Sequence, residues 1–463
     1  MTNAPNNAGQ EVSLYESREK IHYREVKGRF DRLRDLSVLV LLGAYYIGPW
    51  IRWDDRQAIL FDLPARKFYI FGLTFWPHDF IFLSWILIIC AVSLFFFTAL
   101  AGRLWCGYAC PQTVWTQAFV WMERWVEGSH TKRRKLDAGP WTAEKIFKKS
   151  LKQFLWVGFA LWTGFIFVGY FTPVDVLARK IVTFTTGGWE TFWVLFYGFA
   201  TYGNAAFMRE QVCKYMCPYA RFQSAMFDKD TLIISYDEKR GEPRGRGKKG
   251  INREEAGLGD CINCTLCVQA CPTGIDIRDG LQYECIACGA CIDACDSIMD
   301  QVGSPRGLIK YTTEHAIAGE KTKVFRPRIM IYGTLLTLLV VGFFVAIGNR
   351  ADLHLDVLRD RNALFRETLE GRVENVYSLK VHNKTNKEAT IELVVTGLPG
   401  LTVETDPEVL VLQPGELRTV PARVQVSRDA ASAGGHDIEF GIRRDNVENI
   451  EASREARFML PLN

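Results

Sequence analysis

Histidine is scarce in this 463-residue chain and neither sign of charge dominates, and each shortage excludes something. The seven histidines, at positions 22, 78, 130, 315, 354, 382 and 436, follow no ligand spacing, so solvated or hydrogen-bonded roles are their default and no histidine metal site is expected. Lys plus Arg number 56 against 52 Asp plus Glu, a net charge of +4, too even for the basic stripe that nucleic-acid binding needs. Nucleic acid is therefore not an expected partner. Charged residues make up only 23% of the chain and apolar ones 48%, clustered into long runs, which argues against a water-soluble enzyme. The first 35 residues contain no short apolar core followed by a small-residue cleavage site, so no removable signal peptide is expected and the N-terminus is assigned to the cytoplasm.

Five apolar stretches carry the hydrophobicity: residues 36–51, 80–101, 153–172, 191–208 and 329–348. Most approach the roughly 20 residues needed to cross a bilayer; the first is short and broken by Gly43, Gly48 and Pro49, so a buried or re-entrant segment is the alternative to a tilted span there. Lys and Arg crowd the segment before the first stretch (Arg18 to Arg34) and that between the second and third (Arg124, Lys132 to Lys135, Lys145 to Lys149). The other two loops hold few, Arg52, Arg56, Arg66 and Lys67 in one and Arg179 and Lys180 in the other. The positive-inside rule then puts residues 209–328 in the cytoplasm and everything after 349 outside. Trp50, Trp53, Trp76 and Trp189 read as interfacial belt residues in contact with membrane lipids.

The expected organisation is a cytoplasmic segment (1–35), four transmembrane helices (36–236), a charged linker (237–256), an inserted α+β lobe (257–328), a fifth transmembrane helix (329–348) and an external domain (350–463). The linker, with Lys239, Arg240, Arg244, Arg246, Lys248 and Lys249, reads as a solvated tether. From Arg372 onward, short runs at 376–381, 389–396, 401–404, 409–412, 419–426, 437–442 and 456–460 are separated by turns such as Gly-Leu-Pro-Gly at 397–400, which suggests an all-β immunoglobulin-like sandwich.

Thirteen cysteines carry the chemistry, all at or before Cys295. Cys261-x2-Cys264-x2-Cys267-x3-Cys271-Pro272 is followed by Cys285-x2-Cys288-x2-Cys291-x3-Cys295. Three thiolates so spaced wrap one cubane while the fourth reaches the other, so one [4Fe-4S] cluster takes Cys261, Cys264, Cys267 and Cys295 and the second takes Cys285, Cys288, Cys291 and Cys271. Structural zinc favours two separated pairs instead. Asp296 stands where the first run has Pro272, and its charge beside Cys295 is expected to lower that cluster's potential or to leave the cluster more exposed. The lobe resembles a bacterial two-cluster ferredoxin over residues 258–303.

A second pattern repeats: Trp105-Cys106-Gly107-Tyr108-Ala109-Cys110-Pro111 and Val212-Cys213-Lys214-Tyr215-Met216-Cys217-Pro218, each after an even-numbered span at its cytoplasmic end. Proline disfavours helix at the residue before it, so each motif is expected to end in a turn, with Pro111 and Pro218 opening new helices. Cys110 and Cys217 would then lie at helix N-termini that favour thiolates. Soft sulfur ligands select Cu(I), with Met208, Met216 and Met226 as further thioethers; a shared iron–sulfur site or dithiol/disulfide couples are the alternatives.

Taken together, the five spans, the two Cys-x3-Cys-Pro repeats, the inserted ferredoxin lobe and the external sandwich resemble the CcoG (FixG or RdxA) family of accessory proteins for cbb3-type cytochrome oxidase assembly. The resemblance implies a multi-pass protein of the bacterial inner membrane, with its C-terminal domain in the periplasm. It implies an oxidoreductase that reduces Cu(II) to Cu(I), with Cys106, Cys110, Cys213 and Cys217 as catalytic and metal-binding residues. Its partners would be a copper-exporting P-type ATPase, the oxidase assembly components and a cytoplasmic electron donor. A quinol dehydrogenase and a non-catalytic copper chaperone or assembly scaffold are the rival functions.

Overall fold

A computed structural model describes residues 20–246, 253, 257–360, 363–385, 387–407, 409–444 and 450–461. The chain divides into two compact units: the first gathers the residues up to Gly48, Ala91–Gly169 and Val174–Thr334, the second Pro49–Cys90, Tyr170–Pro173 and Leu335 onward.

All five apolar stretches are helical, but only Phe80–Ala101, Ala143–Gly169 and Pro327–Gly348 are long and apolar enough to cross a membrane. The other two fall short for separate reasons, so helix length and composition do not by themselves establish the five-helix bundle. Arg29–Ile47 opens with Arg29, Asp31, Arg32, Arg34 and Asp35 and ends at Gly48-Pro49. Gly188–Tyr202 has 15 residues and then widens into π-helical turns at Gly203–Met208.

In the first unit, Ala143–Gly169 packs along Gly188–Tyr202 through small residues. A Cβ on Gly164 would meet the Val194 carbonyl at 2.2 Å, and one on Gly198 would crowd Leu161 and the Ala160 carbonyl. Small residues one turn apart let the two backbones approach closely. The helix Pro111–Glu127 lays Phe119 against Trp156, Ala160, Ala205 and Ala206, and Val114 and Ala118 against Val38 and Leu42. The inserted lobe is closed by an antiparallel pair, Ile233–Tyr236 with Ile309–Thr312, over a core of Ile234, Tyr236, Ile277, Ile292, Met299, Leu308 and Ile309.

That pairing corrects the expected linker. The lobe begins at Ile233, and residues 237–246 fold onto it rather than tethering it: Asp237 caps a short helix, Arg240 pairs with Asp260 and donates to the Pro305 and Arg306 carbonyls, and the Gly245 N–H donates to the Cys261 carbonyl. Residues 247–252 and 254–256 of the linker, like residues 1–19, lie outside the described residues.

The second unit holds the sandwich. One sheet runs Thr402–Thr405, Leu417–Ser427, Arg372–Asn383, Leu353–Arg359; the other runs Leu410–Leu412, Ala389–Thr396, Gly434–Arg444, Ala452–Leu460. Alternate residues of both sheets, among them Val373, Tyr377, Leu379, Val424, Phe440 and Phe458, fill the space between. The Tyr377 hydroxyl donates to the Arg457 carbonyl at 3.0 Å and Asn375 bonds both backbone groups of Met459, tying sheet to sheet. The strand Leu353–Arg359 was not expected. Residues 59–75, also unassigned, form a three-stranded meander. Trp76 is no belt residue: it is buried, edge-on to His382 with ring centres 4.2 Å apart, beside an Asp79 paired with Arg350 (2.7 Å) and Lys384 (3.3 Å).

Candidate metal centre

The two cysteine runs of the lobe have the same local shape. Asn263 and Thr265 flank Cys264 at φ 54° and 58°, and Ala287 and Gly289 flank Cys288 at 51° and 76°. Backbone of alternating hand turns successive N–H groups to one side, the arrangement that receives an anionic iron–sulfur group. Left-handed backbone at Thr265 and Ala287 costs about 1–2 kcal/mol each and persists only where the surroundings dictate it. The donor set and this cradle fit cubane clusters.

The fourth cysteine of each run lies with the first three of the other. Burial pushes the Cys295 thiol up to about 12, and Cys267, Asp296, Cys261 and Cys264 are the neighbours that add to the shift. Cys291 is driven well above the ordinary range by burial, then by Cys288, Cys285 and Cys271 and last by Cys267. Cys271 is raised by burial and by Cys288.

The four hairpin thiols come together as well. Burial pushes Cys213 up to about 12, with Cys110, Cys106 and Cys217 adding to it, and pushes Cys106 up to about 11. As the prolines require, Cys110 and Cys217 are extended and serve as N-caps of Pro111–Glu127 and Pro218–Ala225. The expected thiolate does not follow at Cys110. Burial raises its pKa even though the Gln112 and Thr113 N–H groups lie beside it, because removing a thiolate from water costs more than those N–H groups return. Among the described residues, no three His, Cys, Asp or Glu side chains close on one point as a ready single-ion site. Of the three methionines, Met216 lines the same open groove as Cys217.

The hairpin site touches the lobe. Cys106 and Cys213 pack against the cluster of Ala270, Ile286, Cys288, Ala290 and Ala294. A Cβ on Gly107 would lie within 3.0 Å of the Ile286 carbonyl, Cys288 Cα and the Ala287 carbonyl, so the first motif presses bare backbone onto the Cys285–Gly289 loop. The second motif has Lys214 at that place. Tyr108 donates to the Cys288 carbonyl (3.2 Å), Tyr311 to that of Ala287 (2.6 Å) and Arg103 to those of Tyr283 and Cys285. Each motif also holds the other: Gln112 donates to the Asn204 and Arg209 carbonyls, and Cys106 Sγ donates to Gln223 at 3.2 Å.

Sequence reasoning named all twelve of these cysteines but missed Arg103, Gln112, Gln223 and Glu123. Arg103 did leave a signal, a cation lodged between the end of an apolar helix and a cysteine three residues on, where Glu210 stands in the second repeat.

Family models agree with this division. One described as a 4Fe-4S dicluster domain matches residues 208–314, one described as a 4Fe-4S binding domain matches residues 83–128, and one described as the IG-like fold at the C-terminal of FixG matches residues 343–461. Nitrogen fixation protein FixG of Rhizobium meliloti (strain 1021) is 39% identical over 434 residues, covering 84% of this chain and 82% of that protein. Protein RdxA of Cereibacter sphaeroides is 42% identical over 404 residues, 84% of each chain, and Protein RdxB of the same organism is 40% identical over 429 residues, 89% of this chain and 88% of that one. Among solved structures, a FixG-related protein from Vibrio parahaemolyticus matches 24% of this chain and 98% of its own at 32% identity and a TM-score of 0.22.

Proposed function

Given that the chain belongs to the family of FixG, RdxA and RdxB and is an iron–sulfur electron-transfer protein, we propose that it is a membrane cupric reductase that supplies Cu(I) for cbb3-type oxidase assembly. The observation that carries this reading is the packing of Cys106 and Cys213 against the loop of Cys288. In this reading Cys261, Cys264, Cys267 and Cys295 hold one [4Fe-4S] cluster, and Cys285, Cys288, Cys291 and Cys271 the other. When bound, the clusters supply reversible one-electron storage next to the hairpin.

Cys106, Cys110, Cys213 and Cys217 receive Cu(II) as substrate. Buried thiols with raised pKa values are protonated at neutral pH, so the site gives up protons as the metal enters. Soft sulfur then prefers the reduced ion, so each Cu(II) takes one electron and stays as Cu(I) until a partner's thiols exchange for it. A copper-exporting P-type ATPase is the proposed recipient and a cytoplasmic one-electron carrier the donor.

The proposed setting is the bacterial inner membrane, with the N-terminus and iron–sulfur lobe in the cytoplasm and the sandwich in the periplasm. The contents of the two units support this sidedness. The loop at 49–79 belongs with the sandwich, while the segments at 102–142 and 209–328 belong with the lobe.

To test the function, the clusters are reduced with dithionite, excess reductant is removed, and Cu(II) is added to the wild type and to Cys→Ser variants of both hairpin pairs. Cluster oxidation should match Cu(I) formation read with a cuprous chromophore, and each variant should lose both. Clusters that stay reduced in the presence of Cu(II) overturn the proposal, and quinol oxidation indifferent to copper would point to a quinol dehydrogenase instead.

A further inference from the structure

Arg103 is 4% exposed and caps the helix Leu104–Tyr108 that carries Cys106. Its guanidinium reaches two segments at once: the Cys285 carbonyl (3.4 Å) and the Tyr283 carbonyl of the lobe, and the Ala220 carbonyl and Ser224 hydroxyl (2.7 Å) on the helix that follows the second motif. Every one of these acceptors is neutral. Burial lowers its pKa, and the groups that counter this are the thiols of Cys106, Cys285 and Cys213, ahead of the carboxylate of Glu284. One buried cation thus stands between the hairpin thiols and the Cys285 end of the lobe, with no carboxylate among the described residues paired to it.

Beside the other cysteine set the cations are less buried or already paired: Arg253, which donates to the Cys261 carbonyl at 3.2 Å, is only half-buried. Arg278, which bears on Cys267 and Cys261, is locked in a two-pronged pair with Asp276, Nε to Oδ1 at 2.8 Å, and Asp296 adds a negative charge beside Cys295. Arg34, on which Cys288 bears, is paired with Asp31 at 2.7 Å. A cubane on four thiolates gains one negative charge on reduction, so an uncompensated buried cation stabilises the reduced form and a nearby carboxylate destabilises it, most strongly where water is excluded.

Building on the ligand assignment above, we infer that Arg103 is a positioning residue that gives electron flow its direction, by raising the reduction potential of the Cys271/Cys285/Cys288/Cys291 cluster above that of its neighbour. One electron from a soluble one-electron reductant, dithionite in the assay, enters at the Cys261/Cys264/Cys267/Cys295 end. It moves downhill to the end beside Arg103, from which Cu(II) at the hairpin takes it; no bond is made or broken until the metal arrives. The same guanidinium faces Cys106 and Cys213, so it favours the reduced state on both sides of the final hop.

The test is a potentiometric titration of the full chain in detergent, without copper, following the EPR signal of the reduced clusters. The wild type should show two one-electron waves. Arg103→Gln should move the higher wave to lower potential and leave the lower one in place, and Arg103→Lys should restore much of the gap. Ser224→Asp, which sets a carboxylate against the guanidinium, should reproduce Arg103→Gln and decides the matter if Arg103→Gln loses its iron. Asp296→Asn should raise the lower wave alone. The inference is overturned if Arg103→Gln and Ser224→Asp leave the higher wave where it was, or if both waves move together. Fewer than two clusters in the wild type would instead refute the ligand assignment, and the copper assay plays no part in either outcome.

Discussion

Glu123 is fully buried on the helix Pro111–Glu127 among four cations: Arg209 at 2.8 Å, Lys20 at 3.5 Å, Arg133 at 3.7 Å and Lys152 at 3.9 Å. Burial alone would raise its pKa, but Arg209, Lys20 and Lys152 outweigh it and hold the carboxyl at about 2, below its ordinary 4.5. A pKa depressed by folding contributes stability that is complete above the unfolded value and disappears as pH falls toward the folded one. The fold should therefore weaken between about pH 4.5 and pH 2, and Glu123→Gln should reduce this dependence and cost about 3–5 kcal/mol at neutral pH, because it strands buried cations. Thermal melting in detergent across that range checks both. The anchored partner matters for the site, since Arg209 sits at φ 42° between the two π-helical turns that present Cys213. At this scale the thiols were legible because their chemistry is written in local spacing. Their polar supports were not, since Cys106 meets Gln223 across 117 residues and Arg209 meets Glu123 across 86, and nothing local marks such partners.

Among the elements, the first Cys-x3-Cys-Pro motif carries Gly107 where the second carries Lys214, and the structure supplies the reason. Gly107→Val would drive a side chain into the backbone of the Cys285–Gly289 loop, where no flexible end can yield. Overpacking of this kind costs about 1–3 kcal/mol, and the motif should lift from the lobe. The expected outcome is a protein with its full iron content whose reduced clusters transfer electrons to Cu(II) at least tenfold more slowly, whereas Lys214→Ala on the second motif should change neither. Stopped-flow bleaching of the clusters separates the two. Proline made the extended Cys110 and Cys217 legible, and alternation made most of the strands so. Leu353–Arg359 alternates equally well, with Leu353 and Leu355 buried, yet it escaped because the all-β reading began only at Arg372. The π-helical turns at 203–208 and 212–216 could not be read, since their wider winding depends on distant contacts such as Gln112 on Asn204.

For the whole molecule, the proposed sidedness makes a direct prediction. A cysteine introduced at Thr405, on the edge strand Thr402–Thr405 of the sandwich, should react with a membrane-impermeant maleimide in intact cells, in a background where the native cysteines do not. The lobe's cysteines should react only after the cells are opened and the iron is removed; labelling at both places from the same side would refute the arrangement. Here the sequence supports the proposed sidedness through loop charge and cysteine placement, which agree. It could not show that residues 49–79 pack with the sandwich through Asp79 and Trp76, since a buried carboxylate beside a predicted span reads as an ordinary helix cap.

The antiparallel pair of Ile233–Tyr236 with Ile309–Thr312 means that the iron–sulfur lobe enters and leaves through a single doorway. A cassette with neighbouring ends can be exchanged without respacing the helices on either side. Grafting a different redox cartridge onto the same two strands would rewire the hairpin to another source of reducing power, provided the new cartridge offers Gly107 a groove of bare backbone.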